Sequence, residues 1–268
     1  MALEVRELEP ALDFYARACN LVPAARGPKH AMLRSRFEHH CLALEETGRS
    51  ALGHIGFETL DDDATDELRA VLAARGVPIR EAPAEPGRTG LAFQFRDPEG
   101  NWIEVYRTME RLAGIVSGGP FQVEKLGHFT MLARNIEAQA AFYRGIGFRV
   151  SDRWPRGVFL RCETDHHGLA FLPASRSSLH HHAYSVGDWQ QIKLVLDWMF
   201  QCGVAPEAGP VRHGPGNNIA VYCRDPDGFR IEFYCEMEQI EDDEDHEREY
   251  VRAFNLWLRA PSPEGFHD

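Results

Sequence analysis

The sequence predicts an α+β protein that consists of two copies of one module in tandem. The tract FRDPEGNWIEVY at 95–106 returns as CRDPDGFRIEFY at 223–234, which is an offset of 128 positions. The length of 268 residues is enough for about two domains. Self-similarity over so long an offset indicates an internal duplication, with about 125 residues in each copy.

Other matched residues keep nearly the same offset and the same order along the chain. The tract HHCLAL at 39–44 corresponds to HHGLAF at 166–171, 127 positions later. The remaining matched pairs are Tyr15 and Tyr143, His54 and His181, Asp97 and Asp225, and Glu104 and Glu232. Five ordered matches at one offset are not expected by chance, so each element justified for one copy applies to the other.

The second copy has the clearer pattern of elements. Apolar residues at helical spacing predict helices over 135–146 and 188–202, the latter with Ile192, Leu194, Val195, Met199 and Phe200 on its apolar side. Apolar and β-branched runs predict strands over 125–133, 147–153, 157–163, 168–173, 180–186, 219–224 and 229–235. The sequence Asp225-Pro226-Asp227-Gly228 suits a type I turn between the last two strands. Each copy is therefore predicted to contain two βαβββ halves.

The composition excludes several classes of protein. Apolar residues make up 44% of the chain and charged residues 26%, which is ordinary for a globular protein. The net charge of −12 would repel the phosphate groups of nucleic acids, so no nucleic-acid partner is expected. No segment is long and apolar enough for a membrane span, and the acidic N-terminus does not resemble a signal peptide. The six cysteines contain no CxxC pair, which favours reduced thiols in a cytoplasmic protein.

Three residues of the second copy occupy similar places in their predicted strands and form a candidate metal site. They are His128 in the first strand, His181 in the strand that starts the second half, and Glu232 in the last strand. Two imidazoles and one carboxylate suit a divalent first-row metal and leave coordination positions open for a substrate. Strand alternation predicts that His180 and His182 face away from the side that His181 faces.

The tract VRHGPGNNIAVYCRDPDGFRIE at 211–232 combines His213, Tyr222 and Glu232 at a distinctive spacing. This tract resembles the signature of type I extradiol ring-cleaving dioxygenases, which belong to the vicinal oxygen chelate superfamily. The likeness covers nearly all of residues 1–240. It implies two vicinal oxygen chelate modules, each of paired βαβββ units forming an open barrel, with the metal in the second module.

The resemblance also implies roles for individual residues. The metal ligands would be His128, His181 and Glu232, and the metal would be Fe(II), with Mn(II) as a possible replacement. His167 of the HHGLAF tract matches the family's acid–base histidine, with His166 pointing in the opposite direction. His213 and Tyr222 match the groups that orient the substrate. The implied substrates are a catechol and O2, the implied product is of the muconic semialdehyde type, and the family usually forms homo-oligomers.

The first copy is predicted to hold no metal. It keeps His54 and Glu104, but a residue 128 positions before His128 would precede Met1, and Tyr222 corresponds to Gln94. One metal per chain is therefore expected. The predicted domains are a metal-free N-terminal module at 1–110, a catalytic module at 121–240 and an acidic tail at 241–268, with a linker over 108–122. The short first strand is expected to leave a sheet edge for the tail or another subunit to cover.

The tail opens with an acidic run, and arginines follow later in EDDEDHEREYVRAFNLWLRAP at 241–261. Acids early and bases late suit the dipole of a helix, so a helix is predicted here, docked by Val251, Phe254, Leu256 and Leu258. A lid over the site is the alternative role for this segment.

Two other functions stay open. One is a metal-dependent lyase or isomerase of the glyoxalase type, which would have no need of His167, His213 and Tyr222 together. The other is a non-catalytic binding protein of the same fold, which would not need the metal ligands either.

Overall fold

The structure is a computed structural model, and it describes residues 1–113, 117–241, 246–250 and 253–257. The strands of the described residues form two mixed sheets, and helices pack against them. None of the helices in these residues is long and apolar enough to cross a membrane. The six cysteines, all within the described residues, are free thiols, as the sequence predicts.

The first sheet contains eight strands from the first half of the chain. In chain order they are β1 (Ala2–Val5), β2 (Val22–Arg26), β3 (His30–Arg34), β4 (Leu42–Glu46), β5 (Ala51–Glu58), β6 (Ile79–Glu81), β7 (Arg88–Arg96) and β8 (Trp102–Met109). Their order across the sheet is β2-β3-β4-β1-β5-β8-β7-β6. The expectation of an open edge at the first strand is therefore wrong, because β1 lies in the middle of the sheet, paired with β4 and β5.

The second sheet repeats this plan and adds two short strands. In chain order its strands are β9 (Val123–Ala133), β10 (Arg149–Trp154), β11 (Gly157–Arg161), β12 (Leu169–Pro173), β13 (Ser178–Val186), β14 (Ala208–His213), β15 (Ile219–Arg224), β16 (Arg230–Cys235), β17 (Arg248–Glu249) and β18 (Asn255–Trp257). Their order is β17-β10-β11-β12-β9-β13-β16-β15-β14-β18. The predicted turn between β15 and β16 forms, with the amide of Gly228 donating to the carbonyl of Asp225 at 3.0 Å.

In the part of the chain that the structure describes, four α-helices pack on the sheets. They are α1 (Leu8–Asp13), which continues into a π-helical turn at Phe14–Ala18, α2 (Asp62–Ala74), α3 (Ile136–Arg144) and α4 (Trp189–Gln201). The last three helices start at Asp61, Asn135 and Asp188, whose side chains accept hydrogen bonds from backbone amides of the first turn. On α4 the buried residues include Ile192, Val195 and Met199, but Phe200 is 86% exposed and does not belong to the apolar face predicted for it.

The two modules contact each other in a reciprocal way. One core combines the first half of module one with the second half of module two, and the other core combines the remaining halves. Tyr15 donates a hydrogen bond to Asp225 at 2.9 Å. Its repeat Tyr143 is hydrogen-bonded to Asp97, which is the repeat of Asp225. The residues that first reveal the duplication therefore hold the two modules together.

The helix predicted over 241–261 is wrong for the part of it that the structure describes. Residues Arg248–Glu249 and Asn255–Trp257 are strands that pair with β10 and β14. A charge pattern along a segment favours a helix only weakly, and pairing with exposed strand edges satisfies the backbone of this segment instead. Two of the predicted docking residues, Val251 and Leu258, lie outside the described residues. The arginines predicted to favour the end of the helix, Arg252 and Arg259, also lie outside them.

Candidate metal centre and active site

The three predicted metal ligands lie on three adjacent strands of the second sheet, β9, β13 and β16. Ala183 of β13 pairs with His128 on one side and with Glu232 on the other. His181 precedes Ala183 by two residues, so its side chain is on the same face of the sheet. The register of two strand pairs thus brings residues that are far apart in sequence to one point.

The ligand atoms of these residues converge inside the protein. Their imidazole nitrogens and carboxylate oxygen all lie within 4.8 Å of one another, and no other group of three such side chains in the described residues meets this criterion. Glu232 Oε2 is 3.3 Å from His128 Nε2 and 3.0 Å from His181 Nε2. The buried His181 Nε2 has no hydrogen-bond partner despite this proximity. Two nitrogens and one oxygen, buried and facing one space, fit a divalent metal ion.

The electrostatics favour the protonation states that a metal needs. Burial lowers the pKa of His181 to about 4, so its imidazole is neutral at neutral pH. Burial alone would raise the pKa of Glu232, but the charge of His128 and its hydrogen bond hold that pKa well below the usual range. A neutral imidazole and an ionised carboxylate are the forms that bind a divalent cation.

His180 contradicts the prediction from strand alternation. A bulge between Leu179 and His181 breaks the alternation of β13, and His180 lines the same cavity as His181. The Nδ1 atoms of the two rings are 2.7 Å apart, and His180 Nε2 is 2.8 Å from Arg230 Nη1. His182 does face away, as predicted, and its Nε2 lies 3.4 Å from the hydroxyl of Tyr15.

His167 lies next to the ligand cluster, with its ring centroid 4.5 Å from that of His128. Burial, followed by the charge of His128, lowers the pKa of His167 well below its ordinary value. Its Nδ1 is 3.0 Å from Nδ1 of His166, whose own Nε2 is 3.1 Å from Asp152. The orientation predicted for His166 agrees with this contact to Asp152, because His166 does not line the cavity.

His213 and Tyr222 also line the cavity. His213 Nε2 is 2.7 Å from the Tyr222 hydroxyl, and Tyr222 pairs with Glu232 across β15 and β16. Burial raises the pKa of Tyr222 well above its ordinary value, so the phenol keeps its proton. All six predicted site residues therefore border one cavity.

Several residues of this cavity do not follow from the sequence. Asn218 donates a hydrogen bond to Glu232 Oε1 at 3.0 Å and so fixes the second carboxylate oxygen. The apolar lining comes from Phe159, Leu172, Pro215 and Phe254. No spacing signal identifies these residues, because each comes from a different element. The ring of Trp154 lies 4.8 Å from that of Phe254, which lines the cavity.

The first module has a related cluster around Glu104, in which an arginine provides a cation. Glu104 is 2% exposed and pairs with Gln94, just as Glu232 pairs with Tyr222. Gln94 donates to Glu104 Oε2 at 2.6 Å, and the buried guanidinium of Arg88 forms an ion pair with the other oxygen. Glu85 joins the same guanidinium at 3.2 Å. His54 Nε2 is 3.8 Å from Glu104, farther than His181 is from Glu232.

Comparison with known proteins agrees with the family that the sequence resembles. The family model described as Glyoxalase/Bleomycin resistance protein/Dioxygenase superfamily matches residues 1–105 and 125–233. The chain is 31% identical over 229 residues to an iron-dependent extradiol dioxygenase of Rhodococcus jostii, with 75% of each chain covered. It is 30% identical to a 3-methylcatechol 2,3-dioxygenase of Pseudomonas putida, with 66% of this chain and 68% of the relative covered.

Solved structures have the same fold over nearly the whole chain. The Mn(II)-bound glyoxalase of Novosphingobium aromaticivorans superposes with a TM-score of 0.91 at 26% identity, covering 98% of this chain and 91% of that one. The homoprotocatechuate 2,3-dioxygenase of Arthrobacter globiformis superposes with a TM-score of 0.90 at 22% identity, covering 100% of this chain and 88% of that one. Both likenesses agree with two tandem modules of the predicted kind.

Proposed function

Because the chain belongs to the extradiol dioxygenases of the Glyoxalase/Bleomycin resistance protein/Dioxygenase superfamily, we propose that it uses Fe(II) to cleave a catechol-type ring with O2. Cleavage beside the diol would place both oxygen atoms in a muconic semialdehyde-type product. The observation that carries this proposal is the convergence of His128, His181 and Glu232 in one buried cavity. His167, His213 and Tyr222, the other three residues of the proposed site, line the same cavity.

The metal would be held by the two imidazole Nε2 atoms and the Glu232 carboxylate. When bound, it supplies a Lewis acid that lowers the pKa of the catechol hydroxyls and brings the ring and dioxygen together. Mn(II) accepts the same set of ligands, so the ligand chemistry admits both metals and Fe(II) is the one we propose.

The residues around the metal have separate tasks in this proposal. Tyr222 and His213 hydrogen-bond the catecholic oxygens and fix the orientation of the ring. His167 holds a proton beside the reacting carbon and oxygen atoms and returns it during cleavage. Burial lowers the pKa of His167, so the ring is neutral before the substrate binds. The apolar side chains of Phe159, Leu172 and Phe254 exclude water and pack on an aromatic ring.

A lyase or isomerase of the glyoxalase type is the second candidate, because the similar structures include a glyoxalase. Three observations favour the dioxygenase. The relatives at 31% and 30% identity are both dioxygenases. The cavity holds three metal ligands from a single module, and His167, Tyr222 and His213 beside them suit proton transfer to a catechol. A non-catalytic binding protein would need neither the metal ligands nor these three residues. Cytoplasmic location and homo-oligomer formation remain predictions from the sequence.

Oxygen uptake by the metal-loaded protein tests this proposal. The protein is loaded with Fe(II) or Mn(II) without air and mixed with a panel of catechols, and then O2 is added. We expect one O2 consumed per ring and absorbance from the ring-opened product. His181→Asn should abolish both signals, while the matched His54→Asn in the first module should keep them. Absence of O2 uptake with every catechol and either metal would contradict the proposal.

A further inference from the structure

Another cavity lies where the two modules meet, and its lining is mainly apolar. The apolar and aromatic residues that line it are Phe57, Leu68, Phe95, Ile103, Val105, Tyr143, Ile146 and Phe148. They all belong to, or pack against, the core that joins the second half of module one to the first half of module two. The six residues assigned to the proposed reaction do not line this cavity, so the proposed function gives it no role.

The duplication gives this cavity a counterpart in the other core. Phe57 and Val105 pair across β5 and β8, just as Tyr184 and Phe233 pair across β13 and β16. Tyr184 and Phe233 both belong to the core that joins the first half of module one to the second half of module two. The two cores can therefore be compared residue by residue.

In the counterpart, an aromatic side chain of the linker is packed into the core. Phe121 is 2% exposed and belongs to the same core as Tyr184 and Phe233. Its ring meets that of Phe233 edge to face, with the centroids 5.7 Å apart. Its carbonyl oxygen accepts a hydrogen bond from the side chain of Asn20. An aromatic ring thus packs beside the repeat of Val105.

The first cavity leaves apolar side chains partly exposed, whereas their counterparts beside Phe121 are covered. Tyr184 and Val195 have no exposed surface. Phe57, the repeat of Tyr184, is half-buried, and so is Leu68, which occupies on α2 the place of Val195 on α4. The described residues therefore leave open a place that corresponds to the one occupied by a phenylalanine ring.

The chemistry of the lining suits an uncharged aromatic ring. The rings of Phe57 and Tyr143 each meet that of Phe148 edge to face, at 5.2 Å and 5.1 Å. Another ring can extend such contacts, because aromatic pairs favour this geometry. The Tyr143 hydroxyl is already hydrogen-bonded to Asp97. Apolar cavities of this kind stay dry and take up benzene in folded proteins.

A larger cleft between the modules gives access to the cavity. Phe57, Glu58 and Thr59 line both the cavity and the cleft. Glu58 is exposed and lies 3.4 Å from the guanidinium of Arg111, so its charge has a partner at the surface. An uncharged ligand can therefore enter without separating a buried ion pair.

We propose that this cavity binds a small uncharged aromatic molecule with one ring, in the place that corresponds to that of Phe121 in the other core. Because both modules line the cavity, the bound ring should also stabilise their contact. The proposal goes beyond the proposed function and depends on neither the metal nor ring cleavage.

Fluorine NMR of fluorobenzene mixed with the full chain tests the proposal. We expect one bound molecule per chain with a Kd of about 1 mM or tighter. Leu68→Trp and Ile146→Trp fill the cavity from either module, and each should weaken binding by at least about tenfold. Leu60→Trp is the matched control, because Leu60 is 91% exposed and does not line the cavity. This variant should bind fluorobenzene like the unmodified chain.

Removal of the linker ring should create a second site. Phe121→Ala leaves an apolar cavity in the counterpart core, so this variant should bind two fluorobenzene molecules per chain. Combining it with Leu68→Trp should return the number to one. Fluorobenzene should also raise the Tm of Phe121→Ala by more than that of the unmodified chain, since two sites are then filled in the folded state.

Absence of bound fluorobenzene in the unmodified chain would overturn the proposal. Undiminished binding in both Leu68→Trp and Ile146→Trp would also overturn it, because the ligand would then lie elsewhere, as in the cavity of the metal ligands. A folded Phe121→Ala variant without a second site would refute the correspondence between the two cavities. If Phe121→Ala does not fold, the two tryptophan variants and their control decide the question.

Discussion

Glu104 in the first module and Glu232 in the second are repeats of one another, and both are buried in the last strand of their βαβββ half. Each lies opposite a polar residue of the neighbouring strand, Gln94 or Tyr222. They differ in the groups that they face. Arg88 forms an ion pair with Glu104, whereas Glu232 faces the two imidazoles of His128 and His181.

This difference shows how one scaffold serves two purposes. A buried carboxylate is costly unless a cation or hydrogen bonds compensate its charge. In the first module the chain itself provides the cation, Arg88. In the second module the proposed function gives that place to a metal, whose remaining coordination positions would be open to a substrate. The following substitutions exploit this contrast.

The largest contrast is expected from the same substitution in both modules. Glu232→Gln removes the anionic ligand of the proposed metal site, so ring cleavage should fall by about 10⁴-fold or more. Glu104→Gln should leave metal content and kcat within about twofold, but it deprives Arg88 of a buried partner. The free energy of unfolding should therefore fall by about 2–3 kcal/mol. Metal analysis, O2 uptake and urea denaturation measure the three quantities, and equal loss of activity in both variants would refute the contrast.

The second contrast concerns the repeated histidine pairs. His167→Asn should lower single-turnover ring cleavage by about 10²-fold or more, because a neutral amide cannot take up a proton. His40→Asn changes the corresponding residue of the first module, which is paired with Glu85 at 3.1 Å, and should alter the rate by less than about threefold. Rapid-mixing absorbance of the ring-opened product measures both rates. An unchanged rate in His167→Asn would remove its assigned role.

Arg88 provides the third contrast. Arg88→Met keeps most of the side-chain volume but removes the cation between Glu85 and Glu104. The free energy of unfolding should fall by about 3 kcal/mol. Adding Glu104→Gln to this variant should recover at least about 1 kcal/mol, because one uncompensated charge is removed. Denaturation curves of the two single variants and the double variant measure this coupling, and strictly additive losses would show that Arg88 does not serve Glu104.

The smallest effect is expected from pH. Burial lowers the pKa of His54 to about 4, below the ordinary value of about 6.5. Its neutral form therefore stabilises the fold above pH 6.5, and this contribution is lost as pH falls toward 4. His54→Gln should reduce the loss of stability over that interval by on the order of 2 kcal/mol. Denaturation at pH 7 and pH 5 measures the change, with the exposed His30→Gln as the control; equal acid sensitivity in both variants would contradict it.

Local signals explain what could be predicted from the sequence. The turn at Asp225 and Gly228 and the helices α3 and α4 depend on nearby residues, and their positions agree with the structure to within a few residues. The repeat then extended these elements to the other copy. The convergence of His128, His181 and Glu232 could be predicted because these residues occupy similar places in their strands, and the duplicated fold makes those strands neighbours.

Long-range pairing explains what could not be predicted. The bulge that turns His180 into the cavity depends on how β13 pairs with β9, and the alternation of side chains gives no warning of it. The pattern of charges in the tail favoured a helix, but distant strands β10 and β14 capture this segment as strands. Arg88 was missed because its position in the first module has no basic counterpart in the second.

The reciprocal contacts of Tyr15 with Asp225 and of Tyr143 with Asp97 have the symmetry of a dimer. Two identical subunits related by a two-fold axis would make this pair of contacts, since each residue meets the partner's copy of the other. The interface between the two modules therefore has the pattern of a homodimer interface within a single polypeptide. Because the modules are not bound to be identical, each can differ from the other, as Arg88 beside Glu104 and the two imidazoles beside Glu232 show.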